Sequence, residues 1–368
     1  MKKAGQIYAD AGVDYSKMDP IKILAQKNAK KTAKNLSSFG MHEVGASRGE
    51  SAYVWEEPSS YRALVVEGLG TKNLVADATR KITGKTYYDQ IAQDAVAMIV
   101  NDLIVVGALP QVVNAYFAIG DSGWMSDEQR AKDLINGWTA ACNAIGATWG
   151  GGETPTLKGV IEPETIDLGG AAIGIIKPKS RLVLGDKLAD GDAIVLVESS
   201  GIHANGITLV RKMVEALPNG YGTKLPDGKL LGETLLKPSH LYVSLVGDLL
   251  KAKIDMHYMV NITGHGWRKI MRATKDFTYV LSDIPKPQIE FEFIQKQLGI
   301  DSSEMYANFN MGAGFAIYVP EKQAQKVVVA AAKLHLKAWV AGQVKKGPKQ
   351  VIIEPLDITF AADSLEVR

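Results

Sequence analysis

Short apolar segments alternate with amphipathic helical segments along most of the chain, and this alternation restricts the fold more than any other feature. The strand-like segments are ALVVEGLG (63–70), QVVNAYFAIG (111–120) and DLGGAAIGII (167–176). Helical periodicity lies between them, from about Asp89 to Val106 and from Ser126 to Ile145. Strands that alternate with helices of this length are typical of α/β proteins. We therefore predict an α/β (α+β) fold.

The chain is long enough for two domains. It has 368 residues, and single hydrophobic cores stop growing at about 250 to 300 residues. The segment IIKPKSRLVLGDKLADGDAIVLVES (175–199) contains a proline, several lysines and two Gly-Asp turns before a new apolar strand. We predict a first domain over 1–177, a second over 178–345, and a C-terminal strand and tail over 346–368.

Charge and cysteine content exclude several classes of function. The 42 basic and 40 acidic residues leave a net charge of +2, so no strong overall field favours nucleic acid. The single cysteine, Cys142, rules out an intrachain disulfide framework and fits a reducing compartment. No apolar run approaches the roughly 18 to 20 residues of a membrane span. We expect a cytoplasmic protein with no membrane or nucleic-acid partner.

Three consecutive glycines stand directly before a carboxylate in ATWGGGETPT (147–156). Each glycine adds conformational entropy that folding must remove, so a simple turn does not need three of them. We interpret the run as a glycine loop that lets the backbone approach a nucleotide at Gly151 and Gly152. Glu153 would then bind a metal ion or a hydroxyl group.

The segment VVEGLGTK (65–72) places a phosphate-binding set of groups at the end of a strand. Gly68 and Gly70 bracket a turn with exposed amides, Thr71 adds a hydroxyl and Lys72 an ammonium, while Glu67 could bind a metal. The spacing is not that of a Walker loop. A hairpin or strand-end turn is the alternative interpretation.

Polar residues interrupt an otherwise apolar helix in IAQDAVAMIVNDLIVVGA (91–108). Asp94 and Asn101 are seven residues apart and so lie on nearly the same face of a helix. A buried carboxylate needs a partner, and Asp102 has the oxygen ligands that Mg²⁺ prefers together with substrate phosphates. Alternatively, backbone amides at the helix end satisfy Asp102.

Two further glycine turns lead into helices. ESSGIHANGITLVRKM (198–213) contains His203 and Asn205, and VNITGHGWRKI (260–270) contains Asn261 and His265. The amides at a helix N-terminus attract anions, although a lone histidine is more often structural. Polar glycine junctions spread along the chain in this way are typical of a site for a nucleotide and a phosphorylated small molecule.

In this order the motifs resemble those of the phosphoribosylformylglycinamidine cyclo-ligase family, also called aminoimidazole ribonucleotide synthetases. The resemblance covers about nine tenths of the chain. Its segments are YADAGVD (8–14), EGLGTK (67–72), QDAVAMIVNDLIVVGALP (93–110), GGGETPT (150–156), SSGIHANGITLVRK (199–212), NITGHGW (261–267) and EMYANFNMGAGF (304–315).

The resemblance implies an ATP-dependent ring closure in purine synthesis, in which ATP activates the formamide oxygen of formylglycinamidine ribonucleotide. It also implies two α/β domains per chain and a homodimer whose N-terminal domains pair into one barrel, with nucleotide at that interface. The residues it implicates fall into three groups: catalytic, Lys72, His203, Asn261 and His265; ATP-binding and phosphate-binding, Lys22, Gly68, Gly70, Thr71, Gly151, Gly152 and Asn205; and Mg²⁺-binding, Glu67, Asp102 and Glu153.

The chain departs from the family pattern at several of these positions. Glu67 stands where the family usually has aspartate, Asn261 where it has histidine, and His265 where it has glycine. PTLKG follows Glu153 in place of AEMPG. Because an amide cannot titrate near neutral pH as imidazole does, we expect His265 to replace the histidine missing at position 261. The alternatives are a divergent paralogue with another acceptor and a non-catalytic nucleotide-binding partner.

Overall fold

The computed structural model describes residues 15–365. The YADAGVD segment (8–14) therefore lies outside the described residues. The described part opens with helix α1 (Tyr15–Lys30), which is followed by a 3₁₀ helix at Ala33–Phe39.

The first half of the chain forms a six-stranded sheet with the order β1-β2-β3-β6-β4-β5. β4 and β5 run parallel, and the other neighbours are antiparallel. The strands are β1 (His42–Glu43), β2 (Tyr53–Glu56), β3 (Tyr61–Gly68), β4 (Leu109–Ile119), β5 (Thr148–Glu153) and β6 (Ile166–Ile176).

Helices cover one face of this sheet. They are α2 (Lys72–Thr83), α3 (Tyr88–Ile104) and α4 (Glu128–Ile145). Ala63 and Val65 of β3 point towards the helices and are buried, whereas Leu64 and Val66 alternate to the opposite face. We call that opposite face the open face, because its apolar side chains are 36 to 72% exposed: Leu64, Val66, Val112, Tyr116 and Ile173.

The second half forms a seven-stranded sheet with the order β13-β12-β9-β11-β7-β10-β8. Its strands are β7 (Asp192–Glu198), β8 (Tyr258–Asn261), β9 (Thr278–Leu281), β10 (Ala313–Pro320), β11 (Ala338–Lys345), β12 (Gln350–Ile353) and β13 (Ile358–Ala361). Its helices are α5 (Ile207–Glu215), α6 (Leu231–Leu235), α7 (Val243–Lys251), α8 (Ile289–Leu298), α9 (Ser302–Asn308) and α10 (Glu321–Lys333).

The α/β class predicted from the sequence is confirmed. The first sheet ends at Ile176 and the second begins at Asp192, while the domain boundary near residue 178 stays a prediction. The C-terminal prediction of one strand and a tail was wrong, since β12 and β13 pair with each other and β12 also pairs with β9. Among the described residues, no helix is long and apolar enough to cross a membrane.

The predicted glycine loop is a strand. β5 includes all three glycines and pairs with β4, with a register shift between Val113 and Asn114. A Cβ atom on Gly152 would lie 2.1 Å from the carbonyl oxygen of Ala115, and Gly151 has a φ of +119°. The glycines are therefore explained by close approach to β4 and by backbone conformation in a bulged edge strand.

Candidate functional site

Three of the predicted polar junctions line one cleft of about 200 Å³. The turn after β3 forms one wall, the N-terminal end of α5 forms another, and Gly264 completes it. The site residues predicted from the sequence that lie here are Glu67, Gly68, Gly70, Thr71 and Asn205. The structure thus brings together groups that are up to 197 positions apart in the sequence (264 − 67).

Hydrogen bonds fix the walls of the cleft relative to one another. The hydroxyl oxygens of Thr71 and Thr208 are 3.2 Å apart. The backbone amide of Gly264 donates to the side-chain oxygen of Asn205 at 3.0 Å. The Thr71–Thr208 contact joins the first half of the chain to the second, and the bond between Gly264 and Asn205 joins two segments of the second half.

One acidic side chain, Glu67, lines the cleft, and the charge of a second, Asp102, acts on it. Glu67 is at the end of β3 and Asp102 is on the last turn of α3, where it is 5% exposed. Burial raises the pKa of Glu67 to about 7, and the nearby charge of Asp102 contributes to that rise. A carboxylate pair whose charges repel in this way is a favourable place for a cation.

Asn261 belongs to this acidic group. Its side-chain amide donates a hydrogen bond of 2.7 Å to a carboxylate oxygen of Asp102. Asp102 is therefore held by a side chain from β8, and not by backbone amides at a helix end as the alternative interpretation proposed. The bond also accounts for an amide at position 261, which orients the carboxylate but carries no charge.

Lys72 does not reach into the cleft. Its side chain is completely buried, its ammonium lies 2.7 Å from a carboxylate oxygen of Asp94, and it donates to the carbonyl of Lys237. Asp94 also accepts hydrogen bonds from the amide and hydroxyl of Ser239. The contact between Lys72 and phosphate that we expected is replaced by an ion pair, whereas the partner expected for Asp94 is present.

His203 lies directly behind the α5 wall. It is 4% exposed, has a φ of +59°, and its Nε2 accepts from the amide of Ser200 at 3.2 Å. Burial lowers the pKa of His203 well below its usual value, and the charges of His240 and Lys72 act in the same direction. The imidazole is consequently neutral in the folded protein.

This neutral, buried imidazole predicts acid sensitivity. Since the folded-state pKa of His203 is depressed, its contribution to stability is complete above the unfolded-state pKa of about 6.5 and is lost as the pH falls below it. We expect the melting temperature of His203→Asn to depend less on pH between about 6.5 and 5 than that of the wild type. Asparagine tolerates the positive φ of this position. If the melting temperatures of the variant and the wild type depended on pH in the same way, His203 would not be the cause of the acid sensitivity.

His265 occupies a different environment on the other side of Gly264. Burial lowers its pKa to about 3, and the charges of Arg268 and Lys269 contribute. The charges of Asp19 and Lys22 on α1 also act on it, and Lys22 forms an exposed ion pair of 2.9 Å with Asp19. Lys22 thus lies on the His265 side of the site.

The structure does not bring Glu153, Gly151 and Gly152 to the cleft. Glu67, Gly170, Ala115 and Gly152 are successive partners across β3, β6, β4 and β5. At about 4.8 Å per strand, Gly152 is about 14 Å from Glu67. All three residues are exposed on the edge strand, and residues 15–365 contain no group of three or more metal-ligating side chains.

Sequence reasoning missed two sets of residues, one around Glu67 and one in contact with α2 and α3. One is the charged set Glu50, Lys269 and Arg272, whose charges act on one another. The positive charges of Lys269 and Arg272 also act on Glu67. The other is the 237–242 loop, which accepts or donates hydrogen bonds with Lys72, Gln93, Asp94 and Asn101. Lys269 stands inside the quoted VNITGHGWRKI segment, but no local pattern marks Glu50 or the loop.

Both halves of the chain match known family models. Residues 49–176 match the AIR synthase related protein N-terminal domain, and residues 189–354 match the corresponding C-terminal domain. A phosphoribosylformylglycinamidine cyclo-ligase of Methanocaldococcus jannaschii is 34% identical over 342 residues, which cover 92% of this chain and 91% of the relative. One of Carboxydothermus hydrogenoformans is 34% identical over 362 residues, covering 95% and 98%.

Solved structures with the same fold are more distant in sequence. HypE in a HypE-HypF complex has a TM-score of 0.59 at 17% identity, and the match covers 85% of this chain and 93% of that one. AaThiL complexed with AMPPCP and TMP has a TM-score of 0.59 at 15% identity, covering 84% and 89%. At these identities the likeness concerns the fold alone.

Proposed function

Because the chain belongs to the phosphoribosylformylglycinamidine cyclo-ligase family, we propose that it closes the imidazole ring of aminoimidazole ribonucleotide. ATP is consumed, and ADP and phosphate are released. The reaction is a step of de novo purine synthesis, and we assign it to the cytoplasm.

One observation connects the proposed reaction with particular residues. The turn at 67–71, which includes Glu67, and the N-terminal end of α5 face each other across the cleft, and the charge of Asp102 acts on Glu67. Backbone amides at Gly68 and Gly70 and the hydroxyl of Thr71 suit phosphate oxygens. The side-chain oxygen of Asn205 accepts a hydrogen bond from the backbone amide of Gly264, and this bond fixes the opposite wall. This arrangement supports phosphoryl transfer, which depends chiefly on positioning and on charge stabilisation.

The proposed chemistry has two steps. The formamide oxygen of the substrate attacks the γ-phosphorus of ATP, and ADP leaves. An amidine nitrogen of the same substrate then attacks the activated carbon and expels phosphate, so that the five-membered ring closes with loss of a proton. The cleft contributes by holding the γ-phosphate and the formamide oxygen in line and by excluding water from the activated carbon.

Mg²⁺ fits the carboxylate pair but not the full set predicted from the sequence. Glu67 and Asp102 supply the one or two carboxylates that Mg²⁺ uses beside substrate phosphates, and their mutual repulsion favours a cation between them. When bound, the ion would offset charge on the transferring phosphate. Glu153 is too far along the sheet to join them within one chain.

The remaining predicted residues take supporting roles in this proposal. Lys22 is near His265 and would reach the nucleotide from α1. Neutral His203 stabilises the turn that leads into α5, and Lys72 with Asp94 anchors α3. Asn261 orients Asp102, and His265, being neutral, contributes a hydrogen bond and not a charge.

The open face supports a homodimer. Val66 is 72% exposed at the centre of a sheet face with four further exposed apolar side chains, and apolar patches of this kind mark interaction sites. We propose that the open faces of two chains pack together, as the family's barrel implies. Glu153, Gly151 and Gly152 on the edge strand would then act towards the partner chain, where nucleotide also binds.

Replacing Val66 by aspartate should therefore shift the protein from dimer to monomer, because a carboxylate in a packed sheet interface has no partner. Light scattering coupled to size exclusion measures the mass directly. Val329→Asp on α10, where the valine is 49% exposed, is the matched control and should stay dimeric. A dimeric Val66→Asp protein would contradict the proposed interface.

The function itself is tested with purified protein, Mg²⁺, ATP and formylglycinamidine ribonucleotide. We expect aminoimidazole ribonucleotide and ADP to form one for one. ATP binding without product would overturn the assignment and would favour another acceptor or a non-catalytic partner, with Asn261 as the first residue to investigate.

A further inference from the structure

The segment that connects the two sheets carries positive charge that the proposed function does not use. This connecting segment, KPKSRLVLGDK (177–187), has four basic residues and one acidic residue. It is fixed to the chain that follows α3, because the amide of Val183 donates to the carbonyl of Val106 at 3.1 Å. A Cβ atom on Gly107 would also lie 2.0 Å from the carbonyl oxygen of Arg181. The backbone that carries Arg181 is therefore closely packed on both sides of Gly107.

A cavity of about 560 Å³ lies between the connecting segment and residues 250–256, at the end of α7. Its volume falls within the range of small-molecule sites, about 300 to 1,000 Å³. None of its lining residues lines the cleft of the candidate active site. Part of its wall is apolar and is formed by Leu182, Val183, Leu250, Ile254 and Met256.

Three cations line the same cavity together with a single carboxylate. The cations are Arg181, Lys187 and Lys253, and the carboxylate is Asp255. Asp255 already has two partners, the ammonium of Lys187 at 2.8 Å and Nε2 of His257 at 3.3 Å. Among residues 15–365, neither Arg181 nor Lys253 forms an ion pair with a carboxylate. The cavity wall thus has an excess of two positive charges.

Arg181 and Lys253 are held at opposite sides of this excess charge. The guanidinium of Arg181 donates to the carbonyls of Lys177 at 3.0 Å and Leu250 at 3.5 Å. It therefore bridges the connecting segment and α7, and some of its five N–H donors remain for a ligand. Lys253 has a φ of +55°, a conformation that favours glycine. A lysine is thus present at this position despite a conformational cost.

We propose that this cavity binds a phosphate monoester with an apolar body. A phosphate monoester carries about −1.5 to −2 charges at neutral pH, which matches the excess of two positive charges, whereas one carboxylate would offset only half of it. The fork of an arginine suits two phosphate oxygens, and lysines add point charges. The apolar wall covers the body of the ligand. The site is independent of the ring-closing reaction proposed for the cleft.

Titration calorimetry with 1-naphthyl phosphate at pH 8 tests the site. This probe has a phosphate monoester and an apolar ring system, but no ribose or nucleobase for the nucleotide cleft. We expect one site per chain, a dissociation constant below about 1 mM, and a melting temperature that rises with the probe concentration. Inorganic phosphate and 1-naphthol, the two halves of the probe, should each bind at least about tenfold more weakly.

Substitutions assign the binding to this cavity. Lys253→Met and Arg181→Gln should each weaken binding of the probe about three- to tenfold. Lys253 is exposed, so its variants should fold, and Lys253→Glu takes the place of Arg181→Gln if the latter does not. Lys251→Met is the matched control, because Lys251 is exposed, pairs with Asp248 and does not line the cavity. Thr71→Val is the control for the cleft, which Thr71 lines.

Each outcome bears directly on the proposal. Binding that depends on Lys253 and Arg181, but not on Lys251 or Thr71, supports it. Absence of binding overturns it, and so does binding that Thr71→Val weakens while Lys253→Met leaves it unchanged. Equal affinities for the probe and for inorganic phosphate would overturn the role given to the apolar wall. None of these results depends on whether the protein forms aminoimidazole ribonucleotide.

Discussion

Replacing Lys72 by methionine is expected to destabilise the protein by about 3 to 5 kcal/mol, because the buried carboxylate of Asp94 then lacks its cation. Both side chains are completely inaccessible to solvent, and their charged atoms are 2.7 Å apart. The melting temperature measured by calorimetry should fall accordingly. This is the largest effect on stability that we expect from one substitution in the site.

The double variant Lys72→Met with Asp94→Asn provides the matched test. It removes both charges but keeps an acceptor for Ser239, so most of the lost stability should return. Lys85→Met, which breaks an exposed ion pair with Glu233, should change the melting temperature little. Equal destabilisation by Lys72→Met and Lys85→Met would show that the buried pair has no special importance.

The largest effect on activity is expected at Asp102. Asp102→Asn should lower the rate of aminoimidazole ribonucleotide formation about 10² to 10³-fold, the usual cost of removing one preorganised electrostatic contact at a reacting group. The fold should persist, since an asparagine oxygen can still accept the hydrogen bond from Asn261. Steady-state rates over a range of Mg²⁺ concentrations measure the effect.

Asp89→Asn is the matched control for this prediction. Asp89 lies on the first turn of the same helix, α3, and is exposed, so its loss should leave turnover unchanged. If Asp102→Asn kept the wild-type rate and Mg²⁺ requirement, the carboxylate pair would not be the metal site.

The sequence predicted the α/β class and the positions of the central strands because their signal is local. Hydrophobic periodicity and glycine turns report on neighbouring residues, and β3, β4 and β6 were all predicted. The helix α3 was predicted to run to Val106 but ends at Ile104, and α4 begins at Glu128, where the side chain of Asp127 accepts from the amide of Arg130. Such ends depend on individual capping contacts.

The glycine run misled the sequence analysis because glycine allows more than one interpretation. The run ATWGGGE was predicted to be a loop, yet it forms an edge strand that β4 approaches too closely for any Cβ atom at Gly152. Sequence alone indicates that small residues are required, but not whether the neighbour is a nucleotide or another strand.

The residues of the cleft were predicted where they stand in glycine turns, but their pairing was not. In the sequence, Lys72 follows the glycine turn at 67–71 that was predicted to bind phosphate. In the fold, it lies beside Asp94 and the 237–242 loop. Asn261 meets Asp102 only because β8 packs against α3 from the other half of the chain. Contacts between distant segments of this kind leave no local pattern in one sequence.

The central claim is that ATP activates the formamide oxygen of formylglycinamidine ribonucleotide for ring closure in this cleft. Substrate labelled with ¹⁸O at the formamide oxygen tests it most directly, with the released phosphate analysed by mass spectrometry. The account predicts one ¹⁸O atom in the phosphate for each aminoimidazole ribonucleotide formed, because the oxygen that attacks the γ-phosphorus leaves with it. Unlabelled phosphate, or labelled substrate recovered while ADP accumulates, would contradict it.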